Sequence, residues 1–170
     1  PLRALAGRTI DAGAIVTGVL LPGVSVADRV ESAYTKHLFG DATLQALPDS
    51  PRFVLNATNV QTGVLWRFSK PYMADYRVGR VLHPTLPLAR AVAASSAFPP
   101  LLSPVDLELH GGDWETPPVK GADLAREPYT TDVVLSDGGV YDNLGVETAW
   151  KGYDTILVSN GGGKMSPQPE

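Results

Sequence analysis

Val133-Val134-Leu135-Ser136-Asp137-Gly138-Gly139-Val140-Tyr141-Asp142-Asn143 is the stretch on which the reading of this chain turns. Val133-Val134-Leu135 is a short apolar run, typical of a strand covered on both faces. Asp137-Gly138-Gly139 reads as a turn. Leu144 to Lys151 has the length of a short helix, with Asn143 as its cap and Gly152 as its stop. Thr155-Ile156-Leu157-Val158 reads as a second buried strand. Strand, turn, helix, strand in that order implies parallel strands joined by a right-handed crossover. The expected fold class is therefore α/β, with a mostly parallel sheet core.

Upstream, Thr85 and Pro87 open a helix expected over about Leu86 to Ala97, which Pro99-Pro100 stops. Arg52 to Val60 reads as a strand, Gln61-Thr62-Gly63 as a turn and Val64 to Ser69 as the return strand of a β-hairpin. Ser25 with Asp28 three residues on makes a capping box. Val26, Val30, Ala33, Tyr34, His37 and Leu38 then share one helix face, and Gly40 ends that helix. Residues 1–24 give no clear period, although Ile15 to Leu21 suits a strand or a buried irregular segment. The Gly-, Pro- and charge-rich stretch 103–130 reads as a long surface excursion, and the polar tail from Ser166 as frayed.

Of the 170 residues, 44% are hydrophobic and 19% charged, the values of an ordinary globular domain rather than a disordered chain. A net charge of −4 and no basic patch argue against a nucleic-acid partner. With no cysteine, disulfides, zinc-thiolate sites and a cysteine nucleophile are excluded. The longest apolar stretch, Ala12 to Leu21, falls well short of the roughly 20 residues that span a bilayer. No signal peptide is visible. The chain opens at Pro1-Leu2-Arg3 without an initiator Met and reads as part of a longer protein.

Several stretches could carry chemistry. Asp137 lies at the carboxyl end of an expected buried strand, the edge where ligands bind in open α/β sheets. Gly138 and Gly139 lack a Cβ, so another backbone or a substrate can approach the carboxylate. Alone, Asp-Gly is also a common turn dipeptide. Ser95 and Ser96 end a helix of small residues and sit in no Gly-x-Ser-x-Gly elbow. Gly23-Val24-Ser25-Val26-Ala27 imitates such an elbow, but Ser25 already serves as a cap. Gly161-Gly162-Gly163-Lys164 lacks P-loop spacing, which removes the support for a nucleotide-binding domain. His37, His83 and His110 have no ligand neighbours at metal-binding spacing, so neither a metal site nor a Ser-His-Asp triad is supported.

Three segments together resemble the patatin-like phospholipase family. They are Phe53-Val54-Leu55-Asn56-Ala57-Thr58-Asn59-Val60 with Thr62-Gly63, Ala93-Ala94-Ser95-Ser96-Ala97-Phe98-Pro99, and Asp137 to Asn143. The resemblance covers roughly residues 50–160. It implies a three-layer α/β/α fold of which residues 1–170 are the C-terminal part of a single domain. It implies lipid acyl ester hydrolysis by a serine–aspartate dyad with no cofactor. Asp137 matches the catalytic aspartate, Gly138 and Gly139 shape its turn, and Asn143 anchors the loop. The family's nucleophile elbow and oxyanion loop have no counterpart here and are expected upstream of Pro1. The substrate is then a lipid or small ester, and the localisation cytoplasmic or at the membrane periphery. An inactive relative that binds lipid or a partner is the rival reading, and a replaced upstream serine would favour it. Oligomeric state is not legible.

Overall fold

The computed structural model describes residues 25–110, 113–116, 118, 120–150 and 152–160. The expectations for residues 1–24, for Gly161 to Lys164 and for the tail lie outside them. Among the described residues six strands form one sheet: β1 (Val54–Asn59), β2 (Val64–Ser69), β3 (Tyr72–Asp75), β4 (Gly79–Leu82), β5 (Val105–Glu108) and β6 (Asp132–Asp137). Their order across the sheet is β4-β3-β2-β1-β6-β5. The helices are α1 (Val26–Tyr34), α2 (Leu88–Ser95), α3 (Gly139–Asp142) and α4 (Glu147–Trp150).

Every strand pairing is antiparallel, which overturns the expected mostly parallel, three-layer α/β/α core. Residues 155–158, expected as the second parallel strand, form no strand, and Leu157 is 95% exposed. The neighbours of β6 are instead β1, with Ala57 opposite Asp137, and β5, with Val105 opposite Leu135. The stretch 138–154 is long enough for a parallel crossover, but it leads to no strand at 155–158. Short turns link β1 to β2, β2 to β3 and β3 to β4, and short turns of that kind produce antiparallel neighbours. An apolar run such as Val133-Val134-Leu135 is buried under either arrangement, so its composition could not decide direction.

The β1–β2 hairpin is as expected, with Val54 opposite Ser69 and Asn59 opposite Val64. Its turn closes at Gly63. The strand pair β3–β4, which no sequence pattern had suggested, extends that ribbon. Gly79 opens β4 with φ +145°, and a Cβ there would lie 3.1 Å from the Trp114 ring. Glycine is needed on both counts.

Trp114 also corrects the surface excursion expected over 103–130. It pairs with Val81, its indole N–H donates to the Thr130 carbonyl, and its ring meets Trp66 edge to face at 6.2 Å. Arg80 and Glu115 clamp this crossing with a bidentate ion pair at 2.7 and 2.9 Å. The same stretch contains β5, where Val105 and Leu107 are buried and Asp106 and Glu108 exposed.

One core forms over the sheet. Trp66 and Phe68 of β2, two residues apart and so on one face, meet Ala57, Val81, Val133 and Leu135 there. Helix α2 covers them with Ala91 and Ala94, and packs against α1 through Ala93 and Val30. Alanines let the helix come close, which places its C-terminal end beside β1 and β6. The α1 capping box is present: Ser25 Oγ accepts from Asp28 N–H and Asp28 accepts from Ser25 N–H. The helical path continues through a π turn over Thr35–Phe39 to Gly40. Two helix starts differ from expectation. Pro87, not Thr85, precedes α2 and makes no side-chain cap. Helix α4 is shorter than expected, and its first N–H, on Glu147, is taken by Asp142 rather than Asn143.

Candidate functional site

Three segments distant in sequence meet around one strand end. Asp137 is the last residue of β6. Its N–H donates to the Ala97 carbonyl at 2.9 Å, and the next N–H, on Gly138, donates to the Ser95 carbonyl at 3.3 Å. Carbonyls at a helix C-terminus have no partner within the helix, so the end of α2 and the end of β6 satisfy each other. Ser136 Oγ adds a third bond to the Ala97 carbonyl. Ser95 Oγ donates to the Asn56 carbonyl of β1 at 2.7 Å, and Ser96 Oγ back-bonds to Val92. Both hydroxyl protons are thus committed to backbone oxygens.

Gly138 shows why this turn excludes a side chain. Its φ of −60° is open to any residue. A Cβ, however, would stand 2.5 Å from the Asn56 carbonyl oxygen, backbone against backbone. At Gly139 a Cβ would meet Asp137 Oδ1 at 2.9 Å and Asn143 Oδ1 at 3.1 Å. The glycines are there for close approach, as expected from their missing Cβ, and not for a left-handed backbone.

The Asp137 side chain is half-buried. Its Oδ1 accepts from Gly139 N–H at 2.6 Å, the local turn bond that aspartate favours. Among the described residues Oδ2 has no hydrogen-bond partner. One oxygen is tethered and the other is available. The main chain of Asp137 is held by Thr58, whose Oγ1 donates to the Asp137 carbonyl at 2.7 Å and accepts from Tyr141 N–H at 3.2 Å. Asn56 braces the far side, its Oδ1 accepting from Thr148 Oγ1 of α4 at 2.9 Å.

Asn143 is exposed at the end of α3, with its amide oxygen near Gly139. The segment after it is tied back by Asp142, whose Oδ2 accepts from Glu147 N–H at 2.7 Å. Beside this loop lies an open groove of about 470 Å³ lined by Tyr141, Asp142, Val146, Glu147 and Trp150. The Tyr141 phenol is pushed above its ordinary value, first by its hydrogen bond to Glu147, then by burial and the neighbouring negative charges.

His83 and His110 are exposed and His37 is half-buried; no histidine is among the partners of Asp137. No group of metal-binding side chains occurs among the described residues. None of their helices is long and apolar enough to cross a membrane. Sequence reasoning had quoted the segments containing Asn56, Thr58, Ser95 and Ala97 without giving those residues a part in the site. The signal was present in the short polar residues set inside an otherwise apolar strand and a small-residue helix.

Searches among curated proteins and solved structures returned no significant match. A family model, Patatin-like phospholipase, matches residues 6–150 of the 170. That match contains all three segments that converge at Asp137, and the chain belongs to the patatin-like phospholipase family, whose general activity is lipid hydrolysis.

Proposed function

We propose that the complete protein hydrolyses acyl esters of lipids through an acyl-serine intermediate, with Asp137 as the proton-transferring base. The observation that carries this reading is the division of the Asp137 carboxylate: Oδ1 is fixed by Gly139 N–H, while Oδ2 is unpartnered among the described residues. A base must have an oxygen free to reach the proton it takes. The nucleophilic serine and the oxyanion loop are assigned to sequence outside this chain, which contains no Gly-x-Ser-x-Gly.

A serine hydroxyl is a weak nucleophile until its proton is accepted. Asp137 Oδ2 takes that proton as the serine oxygen attacks the ester carbonyl carbon. The carbonyl electron pair moves to its oxygen, which backbone N–H groups of the oxyanion loop stabilise. Collapse of the adduct breaks the acyl carbon–oxygen bond, and the departing alcohol oxygen takes the proton from Asp137. Water then gives a proton to Asp137 and attacks the acyl-serine. The serine oxygen recovers that proton as the fatty acid leaves.

The test is Asp137→Asn in the complete protein, with ester turnover and thermal melting measured together. Turnover falls at least about a hundredfold, the low end for loss of a general base, and the melting temperature stays near wild type. Retained turnover removes the assignment. The 170-residue chain by itself shows no esterase activity; Asp137-dependent turnover by it would move the nucleophile into this chain.

A further inference from the structure

We infer that Thr58 is a positioning residue for the Asp137 carboxylate, acting through the backbone on either side of it. The inference rests on the reading of Asp137 as the base. Thr58 lies on β1 with its Cα opposite Ser136, one residue before Asp137. It is 5% exposed. A hydroxyl has one proton to give and lone pairs to receive with, and both capacities are used on the aspartate turn. The proton goes to the Asp137 carbonyl at 2.7 Å, and a lone pair receives Tyr141 N–H at 3.2 Å.

These two bonds bracket the catalytic candidate. Upstream, the register of β6 fixes the Asp137 Cα against Ala57. Downstream, α3 begins at Gly139, whose N–H holds Asp137 Oδ1. Thr58 Oγ1 ties the strand end and the first turn of that helix to β1 at once, and so helps to set the angle between them. That angle decides where Oδ2 points. Tyr141 N–H is shared with the Gly138 carbonyl at 3.3 Å, and Asp142 N–H donates to the same carbonyl at 3.0 Å; both bonds lie within the turn, whereas the Thr58 hydroxyl joins the turn to β1. Without the hydroxyl, α3 is free to tilt and Oδ2 to swing with it. A misplacement of about 1 Å at a reacting group costs on the order of a hundredfold in rate.

The experiment compares Thr58→Val, Thr58→Ser and Asp137→Asn in the complete protein, with kcat and KM measured separately on a short-chain fatty acyl ester. Valine keeps the shape and removes both bonds; serine keeps the hydroxyl. Thr62→Val serves as a control, because it removes a buried hydroxyl bonded to another aspartate, Asp75, away from Asp137. The expected result is a loss of kcat of about tenfold to a hundredfold in Thr58→Val. Its KM stays within about twofold, Thr58→Ser recovers most of the rate, and Thr62→Val keeps wild-type kcat. Wild-type kcat in Thr58→Val overturns the inference. So does failure of serine to restore it, which would assign the effect to the methyl group. If Thr58→Val does not fold, Thr58→Cys retains the size and weakens both bonds; reduced kcat then supports the inference and unchanged kcat overturns it. Full turnover in Asp137→Asn defeats the reading of Asp137 first, and separates that failure from one of Thr58 alone.

Discussion

Asp75 and Asp137 are each the last residue of a strand and each precede a turn, yet their carboxylates have opposite surroundings. Asp75, at the end of β3, is fully buried. Its Oδ2 accepts from Asn59 Nδ2 and Thr62 Oγ1, and its Oδ1 from Arg77 N–H at 2.8 Å. Asn59 in turn accepts from the Gln61 and Thr62 N–H groups of the β1–β2 turn. Asp75 therefore staples two neighbouring hairpin turns together with both of its oxygens in use. Among the described residues the Asp137 carboxylate has one bond, from its own turn, and an oxygen to spare. A buried carboxylate with several donors on it is committed to structure. A half-exposed one, held on a single side, keeps an oxygen available, as the proposed base requires. Strand-end position and residue type are the same; the count of donors differs.

The largest effect that separates the two is in rate. Asp137→Asn loses at least about a hundredfold in turnover at nearly unchanged stability. The counterpart is Asp75→Asn, in which stability changes and rate does not. An amide offers one acceptor oxygen where three donors converge on two. Whichever way it flips, its NH2 faces either Asn59 and Thr62 or the Arg77 N–H. Leaving buried donors unpaired costs about 2–3 kcal/mol, which for a domain of this size lowers Tm by roughly 5–10 °C. Urea or thermal unfolding measures the first, and kcat of the complete protein, within about twofold of wild type, the second. An Asp75→Asn variant as stable as wild type, or one that loses turnover as Asp137→Asn does, would dissolve the contrast.

The sequence told the two aspartates apart only in part. Asp137 was found through Gly138 and Gly139 and through its companions at 53–60 and 93–99. Asp75 drew no attention, because what saturates it comes from Asn59 and Thr62 across a sheet whose strand pairing was not read. The hairpin β1–β2 was legible because its turn is short and local. The β1–β6 pairing was not, since contacts between residues such as Thr58 and Ser136 leave no periodic trace in either segment. Strand β5 was legible in principle: Val105, Leu107 and Leu109 alternate with Asp106, Glu108 and His110, the period-two pattern of a half-buried strand. The prolines and glycines around it outweighed that pattern. The parallel sheet was expected because Thr155-Ile156-Leu157-Val158 is apolar, and composition alone cannot show that Leu157 faces outward.

A smaller effect is expected from Gly138→Ala, which sharpens the Asp137 half of the comparison. The added Cβ meets the Asn56 carbonyl oxygen at 2.5 Å, and no flexible side chain can yield there. The turn must lift from β1, at a cost of about 1–3 kcal/mol for overpacking. Because Gly138 is one residue from Asp137, stability and kcat fall together, unlike in either aspartate variant. Melting and steady-state kinetics on one preparation test this; unchanged melting would mean that the approach of the two backbones is looser than 2.5 Å implies.

The smallest effect is a titration on the open side of the site. Tyr141 follows the Asp137 turn, and its phenol is raised above the ordinary tyrosine value, first by its interaction with Glu147 and then by burial and nearby negative charge. A group whose folded value is raised contributes stability in full below its unfolded value, near 10 for tyrosine. That contribution is lost as pH rises through the folded value, so the loss falls in the alkaline range and leaves neutral pH untouched. Tyr141 is 42% exposed, and solvent keeps the stability term small. Phenolate absorbance of wild type minus that of Tyr141→Phe isolates the group. Its midpoint lies above that of free tyrosine and drops toward it in Glu147→Gln. A midpoint indifferent to Glu147 would break the link between the two side chains.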